Sequence, residues 1–205
     1  VAYLPIDPRD LGRRYEEVVR INSQSGKGGV LHVLEQHVGI TLPRWMQIAF
    51  SKRVQAAAEA SGGEVDADTI SSLFDAHCLD VPTGWQVSDY QAQRRDGQVR
   101  IEANLGSQHI VGVGDGLISA VVNGLSKHAG IEACVEHYDE FSLSNNTDAE
   151  ALACVQIRHG ECTMIASAMA NDTTLASIQA VVSAWGRLTA ELEREQIHEP
   201  EVAAV

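Results

Sequence analysis

The 205-residue chain has no apolar run approaching the roughly 20 residues that a bilayer span needs. Positive charge is also scarce: 15 Lys and Arg stand against 28 Asp and Glu, a formal net charge of −13. Affinity for nucleic acid or an anionic membrane comes largely from a basic face, so neither partner is expected. Only four cysteines occur, Cys78, Cys134, Cys154 and Cys162, and no two form a CxxC pair; the eight histidines include no HxH or HExxH. Zinc knuckles, dithiol redox motifs and a catalytic metal site are therefore not expected. The thiols read as reduced, small, buried apolar residues, as in a cytoplasmic protein. No charged segment followed by an apolar one opens the chain, and its first residue is Val1, so an excised fragment is expected.

What is present is enough for a globular fold, with 44% hydrophobic and 21% charged residues sufficient for one large or two small domains. Charge is uneven along it. Residues 1–53 carry 8 basic and 5 acidic side chains, and residues 54–205 carry 7 and 23. Two prolines, Pro5 and Pro8, precede a short amphipathic segment that ends at Ile21. Residues 22–29 (Asn22-Ser-Gln-Ser-Gly-Lys-Gly-Gly29) are glycine-rich and small, the expected flexible hinge. A phosphate loop is excluded, because Ile21 stands where its first Gly belongs and Gly28 where it needs Ser or Thr. From residue 30 to 80 the rhythm is helical. Val30, Leu31 and Leu34 open it, Pro43 interrupts it, and Met46, Phe50, Val54 and Ala57 recur at three- and four-residue spacing. Asp66 or Asp68 caps a further helix in which Ile70, Leu73, Phe74 and His77 share a face. Asp75, His77 and Cys78 lie close in sequence but are not read as catalytic, since adjacent helical residues point apart and no orienting partner is evident.

After Pro82 the pattern alternates. Val99, Ile101, Ala103 and Leu105 face one way and Arg100, Glu102 and Asn104 the other, a half-buried strand. Trp85 to Gln93 precedes it through the turn at Asp96-Gly97, and Gln108 to Val113 follows the turn at Gly106-Ser107. A helix then starts after Gly114-Asp-Gly116. The plan recurs in strands from Glu132, Glu150 and Cys162 and in a helix from about Thr174 to Arg194. Ile118-Ser-Ala-Val-Val122 and Ile178-Gln-Ala-Val-Val182 match at four of five positions. The fold class is α+β: a small helical subdomain, then a duplicated βββα unit over residues 81–205, with repeats at about 84–130 and 131–195. Its two three-stranded antiparallel sheets pack on two helices.

Chemistry is expected where the third strand of each unit meets its helix, at Gly114-Asp115-Gly116 and Ala170-Asn171-Asp172-Thr173. A helix start offers unpaired N–H groups to a carboxylate, and nearby carboxylates and carbonyls suit an ammonium group, so a free amino acid fits. Ile118, Val135 and Tyr138 would line a pocket for an aliphatic side chain. Equally, Asp115 and Asp172 would each simply cap a helix, and the three apolar residues would be ordinary core.

The strings Tyr3-Leu-Pro-Ile-Asp-Pro8, Ile21-Asn-Ser-Gln-Ser-Gly-Lys-Gly-Gly29, Leu42-Pro-Arg44, Gln47-Ile48 and Phe50-Ser51 resemble the long form of 2-isopropylmalate synthase. The duplicated βββα region is similar to that family's C-terminal regulatory domain. The resemblance implies that residues 1–21 end a first linker subdomain, that residues 30–80 form a helical linker subdomain, and that residues 81–205 bind L-leucine as feedback inhibitor and pair into a homodimer. It implies leucine contacts at Gly114, Asp115, Gly116, Ile118, Ser119, Val135, Tyr138, Ser142, Ala149, Ala170, Asn171, Asp172 and Thr173. Asp115, Ser142 and Thr173 depart from the family's usual asparagine, small apolar and larger aliphatic residues. Tyr3 matches a linker tyrosine that communicates with the active site. The catalytic barrel, with its divalent metal ion and acetyl-CoA site, is outside this chain, so no metal, cofactor or catalysis is expected of the chain alone. Two alternatives stand beside this reading: the isoleucine-sensing domain of a citramalate synthase, and a dimerisation module that senses nothing.

Overall fold

The computed structural model describes residues 21–22, 26–62, 64–143 and 150–198. Tyr3, Ala149 and the expected linker end at 1–20 lie outside them. β1 (Ile21–Asn22) pairs antiparallel with β2 (Glu64–Val65). Between them, α1 (Gly26–Val33) runs on into a π-helical turn, Leu34–Val38, that stops at Gly39, whose φ of 72° few other residues adopt. Residues 26–29 of the expected hinge are thus the first turn of a helix, held by the burial of Val30, Val33 and Leu34 rather than by their own propensity. Pro43 starts α2 (Arg44–Ala60) in an extended conformation, and Met46, Phe50, Val54 and Ala58 form its buried stripe.

Asp66, not Asp68, caps α3 (Ala67–Phe74), accepting the Thr69 N–H at 2.8 Å. A second π turn, Asp75–Leu79, comes next and buries Cys78 beside Ile70 and Phe74, leaving His77 and Leu73 only half-buried. Phe50 and Phe74 meet edge to face at 5.5 Å. Of the four thiols expected to be buried, Cys78 and Cys154 are; Cys162 is partly covered and Cys134, opening an edge strand, is exposed. All four are free thiols.

Burial pushes the Cys78 thiol up to about 12. The unfolded chain releases this proton near pH 9, while the folded chain keeps it, so stability contributed by the neutral thiol falls as pH rises from 9 towards 12. At pH 10.5 the loss is about 2 kcal/mol. Thermal unfolding of Cys78→Ala should fall less steeply between pH 8 and 10.5 than that of the parent chain; parallel slopes would contradict the burial.

The first sheet runs β3 (Val87–Arg95), β4 (Gln98–Leu105), β5 (Gln108–Gly114), and the second β6 (Cys134–Ser142), β7 (Ala151–His159), β8 (Cys162–Ala170). Both are antiparallel in sequence order. Asp96 and Gly97, with φ of 52° and 81°, make the tight turn that joins β3 to β4. α4 (Leu117–Ala129) packs on β4 and β5, and α5 (Thr173–His198) on β7 and β8. The inner faces of both sheets and both helices share one core. The two helices therefore lie between the two sheets.

β4 is buried on alternate residues, whereas β7 is buried on both faces, because Leu152 and Cys154 on its outer side enter the core of the helical region. α5 is buried all round over residues 176–186. Gln179 within it accepts the Val87 N–H (2.8 Å) and donates to the Trp85 carbonyl (3.0 Å), fastening the second unit's helix to the first unit's first strand. The duplication is present, but the matched strings are not structural equivalents. Ile118 is the second residue of α4 and Ile178 the sixth of α5. A one-turn shift keeps the same helical face, so apolar strings match across it.

Candidate functional site

The two strand-to-helix junctions are built differently. At the first, Gly114 closes β5 against the start of α4, where an added Cβ would come 2.4 Å from Ser119 Oγ and 2.6 Å from the Ala120 N. Gly116 is the N-cap, in an extended conformation, with no side chain to offer. Ser119 Oγ instead accepts the Gly116 N–H at 3.0 Å and donates to the Gly116 carbonyl at 2.9 Å. A Cβ on Gly116 would meet nothing within 4 Å. Asp115 is exposed and takes no part in capping, and Ile118 is half-buried. The helix start is thus open, with its first N–H groups unserved by a cap side chain among the described residues.

The second junction is occupied by its own groups. Asp172 caps α5, with one carboxylate oxygen 2.9 Å from the Thr174 N–H it accepts, and the other accepts the Tyr90 hydroxyl. Ser177 donates to the Thr173 carbonyl at 2.7 Å and lies 2.6 Å from the Tyr138 hydroxyl, which donates to Glu140 at 2.7 Å. Burial pushes the Tyr138 hydroxyl up to about 12; Glu140 raises it further while the Ser177 hydrogen bond works against the shift. Tyr90 is raised as well, first by burial and then by the Asp172 carboxylate.

Of the expected site residues, the structure brings Thr173 and Tyr138 together through Ser177, while the adjacent Asp172 is hydrogen-bonded to Tyr90 and Thr174 instead. Ala170 ends β8 opposite Ala151, Asn171 is exposed beside it, and Val135 and Ser142 lie on the same face of β6 as Tyr138. Gly114, Asp115, Gly116, Ile118 and Ser119 form their own cluster. No hydrogen bond joins the two clusters among the described residues.

Tyr90, Glu140 and Ser177 were not expected. A β-bulge hides Tyr90, whereas Glu140 lies two residues beyond the expected Tyr138 on the same face; the register slips by one residue between Val87 and Asp89, and again between Val135 and His137. Counting by twos from Val87 puts Tyr90 on the wrong face; the bulge turns it inward opposite Ala103. The same device puts Val135 and Tyr138 on one face although they are three apart, and sends His137 and Asp139 outward. There the Trp45 ring stacks on His137 at 5.3 Å and its N–H donates to Asp139 at 2.6 Å. Ser177, by contrast, lies four residues after Thr173, a helical spacing that the sequence displays.

Among the described residues no group of three or more His, Cys, Asp or Glu side chains is arranged to hold a metal ion, and no helix is long and apolar enough to cross a membrane.

Comparison with known proteins adds two matches. Residues 64–189 match the family described as the LeuA allosteric (dimerisation) domain, and residues 1–35 match one described as alpha-isopropylmalate synthase, post-catalytic domain-like. Curated relatives bear the name 2-isopropylmalate synthase. The chain is similar to that of Alcanivorax borkumensis, 49% identical over 91% of this chain and 34% of the relative. It is 39% identical to that of Pseudomonas savastanoi pv. phaseolicola over 91% and 34% of the two chains, and 39% to that of Ralstonia nicotianae over 96% and 35%. It spans about a third of the length of these relatives.

Proposed function

The chain belongs to the LeuA allosteric (dimerisation) domain family, and from that premise we propose that it is the leucine-sensing, feedback-inhibiting region of a 2-isopropylmalate synthase. The parent enzyme would condense acetyl-CoA with 2-oxoisovalerate in the cytoplasm. The divalent metal ion and acetyl-CoA would be held by a barrel outside this chain, and residues 1–205 alone would be inactive. One observation carries the reading: the family match covers both βββα units and both strand-to-helix junctions.

The geometry supports a division of labour between the junctions. The open start of α4 would receive the leucine carboxylate on its free N–H groups, where Gly116 lets the ligand reach the main chain, and the uncommitted Asp115 would accept from the ammonium group. Asp172 already serves its own helix and Tyr90, so the second junction would shape the pocket rather than carry the charge. Ile118, Val135 and Tyr138 would meet the aliphatic side chain. Two copies would pair through surfaces a single chain leaves open, such as the inward-facing but exposed Ala92 and Arg94 of β3. Leucine can inhibit only by binding better to the arrangement that restrains the barrel, with the 22–29 segment and Tyr3 as its connection to it.

Titrating leucine, isoleucine and valine against the chain tests this. Leucine at about a hundred times its dissociation constant should add about 2.7 kcal/mol of stability. A preference for isoleucine would favour the citramalate branch, and indifference to all three the assembly module. Gly116→Ala, whose new methyl meets open space, should leave the melting temperature within a few degrees while weakening leucine binding about tenfold. Unchanged affinity by calorimetry would remove the α4 start from the site.

A further inference from the structure

On the outer side of the second sheet, α2, the end of the second π turn and the C-terminal half of α5 enclose a cleft of about 890 Å³. Its charge opposes that of the protein. In a chain of net charge −13, this cleft is lined by Lys52, Arg53, His77, His137, Arg187 and Arg194, with Glu191 the one carboxylate among its described lining residues. Arg194 already pairs with Glu191 at 3.3 Å.

Lys52, Arg53 and Arg187 form no ion pair among the described residues, although the Asp80 carboxylate lies near enough to Arg187 to favour its charge. Arg187 donates to the Ala76 and Asp80 carbonyls at 3.0 and 2.6 Å, neutral acceptors that hold the guanidinium in place without cancelling its charge. Lys52 and Arg53 are exposed, and neither has an ion-pair partner among the described residues. His77 is held below its ordinary value, first by burial and then by the positive charges of Arg53 and Arg187. Like charges held together in a partly desolvated cleft repel one another, and an anion placed between them converts that repulsion into attraction. The stacked Trp45 and His137 rings, with Ile48, Met164 and Ile165, supply an apolar wall.

We propose that this cleft binds a small organic polyanion, bearing two or more phosphoryl or carboxylate groups on a modest apolar body, held by Lys52 and Arg53 of α2 and Arg187 of α5. The volume lies within the range of small-molecule sites, and arginine suits both kinds of anionic group. The ligand bridges the helical region to α5 from the side of β7 opposite the α4–α5 core, and none of the residues that hold it is among those assigned to leucine.

Calorimetry of the 205-residue chain with tripolyphosphate and with citrate, at constant ionic strength set by sodium chloride, is the test. Saturable binding of either supports the site, and which of them binds better identifies the anion class. Binding should weaken as salt rises from about 50 to 200 mM, and the His77 titration, followed by NMR, should move upward with ligand bound. Lys52→Glu with Arg53→Glu alters only exposed side chains of α2 and should weaken binding at least about tenfold, leaving the leucine response intact. Should that variant fail to fold, Lys52→Gln with Arg53→Gln carries the same prediction. Absence of saturable heat with both anions, or unchanged affinity in the charge-altered chain, overturns the proposal.

Discussion

Alanine at Gly112 is expected to destabilise the chain by at least about 4 kcal/mol, at the severe end for a single added methyl group. The new Cβ would stand 1.8 Å from the Ala120 carbonyl oxygen and 2.8 Å from the Gly124 N, both backbone atoms of α4. No rotamer change relieves such a clash; the helix itself must move off the sheet. Gly124 reciprocates, its own Cβ position falling 3.1 Å from the Gly112 N. β5 and α4 thus touch main chain to main chain at a point where neither has a side chain. Gly124→Ala, which asks for a shift of a few tenths of an ångström, should cost less, about 1–3 kcal/mol. Urea unfolding of the two variants beside Gly116→Ala, whose methyl has space, gives the order directly. A Gly112→Ala midpoint equal to that of the parent chain would mean that α4 does not seat as described. Because Gly116 caps α4, the leucine stabilisation proposed for that helix start should be lost along with the packing.

Trp185→Ala should cost about 3–5 kcal/mol. Trp185 is the largest fully buried side chain, and it sits in the stretch of α5 that is enclosed on every side between the sheets. Its removal leaves a void shared by both units, which neither sheet can fill without breaking its own register. Trp185→Phe keeps most of the volume and should recover a good part of the loss; its ring also needs no partner for the indole N–H, which has none among the described residues. A Trp185→Ala loss below about 1 kcal/mol in denaturant titrations would contradict the enclosed position of α5.

Much of this architecture is legible in the residues. β4 announces itself by strict alternation, Asp96-Gly97 by the left-handed backbone its turn needs, and α2 by Met46, Phe50 and Val54 at helical spacing. Local chemistry also narrows the α3 cap to Asp66 or Asp68, of which the structure uses Asp66, and points to a helix start after Gly116. The misreadings have one kind of cause. Gly26–Gly29 looks like a hinge because glycine has poor helix propensity, yet it forms the first turn of α1. The four-of-five match at Ile118 and Ile178 is one turn out of register because a helix repeats its face every turn. Cys134 looks as buried as Cys154, and only its place at the start of an edge strand exposes it.

The candidate site divides in the same way. Gly114, Gly116 and Asp172 stand out because strand-to-helix junctions have recognisable chemistry within a few residues. Tyr90 does not, because it depends on a bulge that a period of two cannot reveal, whereas Glu140 is within reach of simple alternation from Tyr138.

Periodicity, turn chemistry and caps act over a handful of neighbouring residues, so the sequence by itself determined the elements, their order and the doubling of βββα. Tertiary structure alone decided which cap is already occupied, which tyrosine crosses from one unit to reach the other, and where six basic side chains converge in an acidic protein. Those outcomes join residues as far apart as Tyr90 and Asp172, or Arg53 and Arg187. The first pair meets only after both sheets have closed on α4 and α5, the second only after α2 has docked on the outer side of the second sheet, and no local pattern encodes the distance between them.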